Sequence, residues 1–296
     1  MTNSAMARIR RTASLLFLAM AALALPLASR QPAPAQRQVA APPSLKLYVF
    51  DCGKLNIDPT PYGFTKDQLA TTEMSVPCFL IVHPKGTLMW DVGTIPDSAF
   101  KPEGPTTFDR ATATKTLKAQ LAEVGYSPAD ITYLALSHCH WDHTANANEF
   151  ASATWLARRD ERDAMFAHPP DYARCLYPEN YSALRSSKTT ILHDEDYDVF
   201  GDGAVVLKSA PGHAPGHQVL FLKLRRTGPI LLSGDLYHYP EERAQHKVPT
   251  TDFNRDQTAA SRARIEEFLK KTGTKLWIQH DFTANAKLKK SPAFYD

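Results

Sequence analysis

Ser137-His138-Cys139-His140-Trp141-Asp142-His143 places three imidazoles and a carboxylate within six positions, directly after the apolar run Ile131 to Leu136. Polar side chains bunched at a strand end need compensation, and a divalent metal supplies it. Imidazole nitrogens and carboxylate oxygens suit zinc and its first-row neighbours. In an extended segment residues two apart point the same way, so His138 and His140 converge on one ion. If the chain then turns into a helix, Asp142 and His143 leave its first turn toward a second position nearby. The pattern predicts two metals.

Two metals need roughly three further protein ligands besides water. Three later segments offer them: Ala210-Pro211-Gly212-His213-Ala214-Pro215-Gly216-His217 after the apolar run Val205 to Leu207, Ile230-Leu231-Leu232-Ser233-Gly234-Asp235, and Lys275-Leu276-Trp277-Ile278-Gln279-His280-Asp281. In each a polar ligand type follows a short apolar run at a turn or loop signal, as in a site built on strand ends.

The elements that must hold these residues are short. Strands are expected near 45–50, 78–83, 87–91, 131–136, 153–156, 204–209, 218–224, 229–233 and 275–279. Leu117, Leu121 and Val124 fall at helical spacing and stop at Gly125, with Pro128 beyond; Ile265, Phe268 and Leu269 do likewise before Gly273. A short helix after His143 and another around 159–167 complete the expectation.

The HxHxDH motif, the Pro-Gly-His before a strand, the Gly-Asp after one and the late His-Asp resemble the metallo-β-lactamase superfamily. The doubled Pro-Gly-His-Ala-Pro-Gly-His-Gln is similar to its N-acyl-homoserine lactonase branch, as are Leu47-Tyr48-Val49-Phe50 and the stretch from Pro77 through Trp90-Asp91-Val92-Gly93. The resemblance runs from about Leu45 to the C-terminus. It implies an α/β fold, a four-layer αββα sandwich. It also implies that His138, His140 and His213 hold one metal, that Asp142, His143 and His280 hold the other, and that Asp235 bridges them. The cofactors implied are two divalent ions, with zinc the first choice and cobalt, iron or manganese compatible with the same ligands.

The chemistry expected of such a pair is hydrolysis. A water shared by two divalent ions loses a proton near neutral pH and becomes a nucleophile without a dedicated base. The positive surplus of the centre favours a neutral carbonyl substrate that develops an oxyanion. The resemblance implies ring opening of an N-acyl-homoserine lactone, a quorum-quenching reaction, with Asp142 contributing to catalysis. The alternatives are another hydrolase on the same site (aryl ester, thioester or organophosphate triester), a mononuclear iron persulfide dioxygenase, and a non-catalytic binding protein. There is one local departure. Lactonases of this kind usually place a Tyr three residues after the bridging Asp; here that position is His238, with Tyr237 one step earlier, and either is a candidate donor to the oxyanion. His217 is expected to support the ligands rather than bind metal. His83, His168, His193 and His246 are expected to be ordinary exposed histidines.

The chain of 296 residues, 43% hydrophobic and 22% charged, has the composition of a globular enzyme. Its first residues differ. Arg8, Arg10 and Arg11 precede the uncharged stretch Leu15 to Ala28 and then Ala33-Pro34-Ala35. This is the pattern of a secretory leader over residues 1–35, too short in its apolar part for a confident spanning helix. A linker, 36–44, precedes the hydrolase domain, 45–296. A periplasmic or secreted protein is expected, membrane-attached only if the leader is retained. The leader carries four arginines and no acid, so without it the formal charge of +3 falls to about −1, which removes any basis for a nucleic-acid partner. The partner expected is a small lactone or ester, and a homodimer is compatible with the resemblance. Cys52, Cys78, Cys139 and Cys175 allow three full connectivities after export. A Cys52–Cys78 bridge between the first two strands is one option, and unpaired buried thiols are another. Cys139 should point away from its two histidine neighbours. The loop 52–76 either overhangs the metals or is plain surface, and 157–190 is expected to flank the site.

Overall fold

The computed structural model describes residues 44–167 and 174–296. The expected leader, and all of the linker except Ser44, lie outside the described residues, as does His168. No described helix is long and apolar enough to cross a membrane.

One sheet is built from β1 (Lys46–Asn56), β2 (Glu73–His83), β3 (Gly86–Trp90), β4 (Thr106–Phe108), β5 (Ala111–Ala113), β6 (Tyr133–Ala135), β7 (Thr154–Arg158) and β8 (Thr189–Leu192), in the order β4-β5-β1-β2-β3-β6-β7-β8. The second contains β9 (Tyr197–Asp198), β10 (Val205–Ser209), β11 (Gln218–Leu224), β12 (Gly228–Leu232) and β13 (Lys275–Trp277), in reverse chain order, and β14 (Phe294–Tyr295) returns to pair with β1. Helices α1 (Leu117–Glu123), α2 (Trp141–Thr144), α3 (Arg159–Phe166), α4 (Pro240–Gln245), α5 (Arg255–Thr272) and α6 (Phe282–Asn285) lie between and after the strands.

Period-two alternation sorts the side chains into layers. Leu47, Val49, Phe79, Ile81, Leu88 and Trp90 pack with Leu207, Leu220, Leu222, Ile230 and Leu232, forming the core between the sheets. Their alternates Tyr48, Phe50, Leu80 and Met89 pack instead with Leu117, Leu121 and Met165 of α1 and α3. Val219 and Leu231 face Ile265 and Leu269 of α5. Three apolar contacts in series make the four-layer αββα sandwich.

The helix ends follow local chemistry. Thr116 caps α1 by accepting from the backbone of Ala119, and Asn254 caps α5 by accepting from Gln257. α5 stops at Gly273, which adopts the left-handed conformation at φ 68°. β1 and β2 run longer than their apolar cores, because pairing continues from Lys54↔Ser75 to Asn56↔Glu73 after a bulge. β4, β5, β8, β9 and β14 were not expected; each is only two to four residues long and carries too little periodicity to read.

Two disulfides, Cys52–Cys78 and Cys139–Cys175, use all four cysteines. The first joins β1 to β2. His83 is a correction: it is buried rather than exposed, stacked at 4.2 Å on Phe200, with Asp202 at 2.8 Å. His193 and His246 are exposed.

Candidate active site

All seven expected ligands meet beyond the strand ends. β6 ends at Ala135, His140 has extended backbone, and the chain is helical from Trp141, three residues before the helix expected after His143 would begin. His213 lies between β10 and β11, Asp235 follows β12 and His280 follows β13. His138, His140, His213 and Asp235 form one group whose ligand atoms lie within 4.8 Å of one another; Asp142, His143 and His280 form another.

Asp235 divides its two oxygens between these groups. Oδ2 lies 3.5 Å from His138 Nε2 and 3.2 Å from His213 Nε2, whereas Oδ1 lies 3.1 Å from His143 Nε2 and 3.0 Å from His280 Nε2. Asp142 Oδ2 closes the second group, 3.5 Å from His143 Nε2 and 3.4 Å from His280 Nε2.

The far sides of the imidazoles are fixed by the protein. His213 Nδ1 meets Asp252 Oδ1 at 2.9 Å, His143 Nδ1 meets Asp91 Oδ2 at 2.8 Å, His280 Nδ1 meets the Ser75 carbonyl at 2.8 Å, and His138 Nδ1 meets Ser137 Oγ at 3.0 Å. Each partner leaves the opposite nitrogen, Nε2, directed at the cluster, as metal-binding histidines require. His217 stands behind them: its Nδ1 contacts the Ala210 carbonyl at 3.0 Å and its Nε2 accepts the Asp235 backbone N–H at 2.9 Å.

Electrostatics favour the same atoms. Burial, then the neighbouring imidazoles, holds His138 well below the usual histidine range, so it stays neutral and able to donate a lone pair. Burial takes His217 down to about 3. His138 Nε2, His143 Nε2 and Asp235 Oδ1 are buried and make no hydrogen bond among the described residues. Unsatisfied buried polar atoms cost about 1–3 kcal/mol each, and three converging at one point fit divalent cations.

The two catalytic candidates after Asp235 separate. Tyr237 has extended backbone, so it and His238 project oppositely. His238 enters the cluster, with Nε2 3.1 Å from Asp235 Oδ2 and Nδ1 3.2 Å from Glu242 Oε1. Burial opposes its protonation, but Glu242 and Asp235 outweigh it and push the imidazole up to about 10. Glu242 is itself buried and paired with Arg262 at 2.6 Å. Tyr237 is a correction: its hydroxyl donates to Glu266 at 3.1 Å on the wall of a separate cavity of about 810 Å³, to which none of the seven residues contributes.

A smaller cavity of about 180 Å³ opens onto the cluster. His140, Asp142, Asp235, His238 and His280 form its floor, and Leu55, Ile57, Tyr62, Met74, Arg110, Trp141, Arg174 and Leu176 its walls. The loop after β1 therefore overhangs the site, and the described part of 157–190 reaches its rim. Sequence reasoning left Asp91 as part of a family pattern and missed Asp252, Glu242 and Arg174. Only Asp91, at the end of an apolar run, carried a signal.

The protein compares well with known enzymes. N-acyl homoserine lactonase AttM of Azorhizobium caulinodans is 30% identical over 264 residues, covering 85% of this chain and 99% of that protein. N-acyl homoserine lactonase AiiA of Bacillus thuringiensis subsp. kurstaki is 29% identical over 246 residues, covering 80% of this chain and 93% of its own. The crystal structure of an N-acyl homoserine lactone hydrolase, with the product N-hexanoyl-L-homoserine at its catalytic metal center, superimposes with a TM-score of 0.69 at 27% identity, covering 85% of this chain and 99% of that one. The superfamily's sequence profile spans residues 71–280, from just before β2 to His280. With the four layers and the strand-end His/Asp cluster, this match makes the chain a member of the metallo-beta-lactamase superfamily.

Proposed function

We propose that this protein is a dinuclear metal-dependent hydrolase that opens the ring of N-acyl-homoserine lactones. The observation that carries the reading is the division of Asp235, one oxygen toward His138 and His213 and the other toward His143 and His280. The similar lactonases support the substrate class.

Two divalent ions held by these seven residues would supply an ionised water near neutral pH and polarise a carbonyl. Zinc is the ion we infer, from five imidazoles and two carboxylates. Hydrolysis adds a water oxygen to the lactone carbonyl carbon, breaks the ring C–O bond and moves one proton to the departing ring oxygen. Asp142 lines the cavity and is placed to carry that proton. Leu55, Ile57, Met74 and Trp141 exclude water around the ring. Export to an oxidising compartment is supported by the two disulfides; protein fractionating with the cytosol, its thiols reduced, would refute it.

The test is metal analysis of purified protein beside a panel of lactones, aryl esters and organophosphates. Two ions per chain and lactone hydrolysis abolished by chelation are expected. Activity on organophosphates alone, or a single iron per chain, would overturn the reading.

A further inference from the structure

A carbonyl oxygen gains negative charge as water adds to its carbon, and a preorganised donor facing it speeds that step. His238 is poorly equipped for the task. Its two nitrogens are already directed at carboxylates, Asp235 Oδ2 at 3.1 Å and Glu242 Oε1 at 3.2 Å. Tyr237 is turned to Glu266.

Tyr62 has what His238 lacks. It lines the same cavity as Asp142, Asp235, His238 and His280, and its ring centroid lies 4.5 Å from that of His238. The side chain is buried, and among the described residues no hydrogen bond ties its hydroxyl to another group. Burial first, then the Asp235 carboxylate, keeps the phenol well above the usual tyrosine range, so it retains its proton. Arg110 is exposed and pairs weakly with Asp109 at 3.6 Å, and Arg174 is bound to the Thr251 carbonyl at the rim.

The loop that carries Tyr62 is fixed before substrate arrives. The Tyr62 N–H donates to the Pro59 carbonyl at 3.0 Å, and the Pro61 carbonyl accepts from the backbone and side chain of Thr250 at 2.8 and 3.1 Å. Tyr239 packs edge-on against the ring, with centroids 5.5 Å apart. Such anchoring holds a donor in place without reorganisation during reaction.

We propose that Tyr62 is a catalytic residue whose hydroxyl donates a hydrogen bond to the substrate carbonyl oxygen as it becomes an oxyanion. The inference rests on the hydrolase reading above and deepens it. The experiment is Tyr62→Phe in the metal-loaded protein, assayed on neutral N-acyl-homoserine lactones. The expected result is a fall in kcat of about 100-fold with KM within twofold, and metal content and Tm unchanged. Tyr62→His, which keeps a ring and an N–H donor, should recover at least about fivefold over Tyr62→Phe, a rescue that a purely packing role would not give. A kcat within twofold of wild type in Tyr62→Phe, a loss carried by KM alone, or no rescue would overturn the proposal. If wild-type protein leaves every lactone intact, the lactone assignment falls instead. The same kcat-only loss is then expected on whichever aryl ester the wild type hydrolyses, and its absence there would sink the role of Tyr62.

Discussion

Asp91 Oδ2 holds His143 Nδ1 at 2.8 Å and also accepts from Gln279 Nε2 at 2.6 Å, while its Oδ1 accepts the Ser137 backbone N–H at 2.6 Å. One carboxylate at the end of β3 thus ties together the start of the HxHxDH segment, a ligand on α2 and the neighbour of His280. Its backbone sits at φ 54°, a conformation that Asp and Asn tolerate better than most residues. Asp91→Asn should keep the fold and weaken metal binding about 10- to 100-fold. Competition with a graded chelator measures this, and unchanged affinity would remove Asp91 from the support of the site.

Gly234 precedes the bridging carboxylate at φ 47°, and a Cβ there would meet His217 Nε2 at 2.7 Å and Ser137 Cβ at 2.8 Å. Neither neighbour can yield freely, because His217 accepts the Asp235 N–H and Ser137 supports two ligands. Gly234→Ala is expected to cost about 1–3 kcal/mol and to lower metal content at both positions, since Asp235 serves both. Thermal unfolding and metal analysis of the same preparation check both parts.

Cys139 lies between His138 and His140, and its disulfide holds Cys175, whose neighbours Arg174 and Leu176 line the cavity. The bridge closes a sequence separation of 36, worth about 4 kcal/mol in the chain-entropy view. Cys175→Ser should lower Tm and raise KM by severalfold as the rim loosens, with metal content intact. A variant with unchanged KM would show that the rim is held by other contacts, such as Arg174 to the Thr251 carbonyl at 2.8 Å.

Glu161 is buried behind the same segment, accepting from the Cys139 N–H at 2.6 Å and the Gly216 N–H at 2.7 Å. Burial pushes its carboxyl up to about 7 despite those bonds. The folded value lies above the reference of 4.5. The stability this group contributes is therefore fully present below that reference and lost as pH rises through about 7, a change of about 3 kcal/mol. Glu161→Gln does not titrate and offers one acceptor oxygen where two are used. It should be less stable than wild type at pH about 5, with the Tm difference narrowing by pH about 8. Calorimetry across that range would refute the account if the gap widened.

Much of this protein was written locally. His138 and His140 serve one group from the segment that follows β6, and Asp142 and His143 serve the other because a helix begins at Trp141; both facts depend on a few adjacent residues. The apolar runs before His213, Asp235 and His280 located strands for the same reason, and α1 and α5 announced themselves by spacing and by Gly125 and Gly273. What tertiary structure alone decided was distance between segments far apart in the chain. Asp252 became the partner of His213, 39 residues away, and Tyr62 came within 4.5 Å of His238 across a much longer interval. It also turned Tyr237 out of the site and joined Cys139 to Cys175. Local sequence sets backbone direction and which face is apolar. Which polar groups meet across two packed sheets is settled only when burial forces each of them to find a partner.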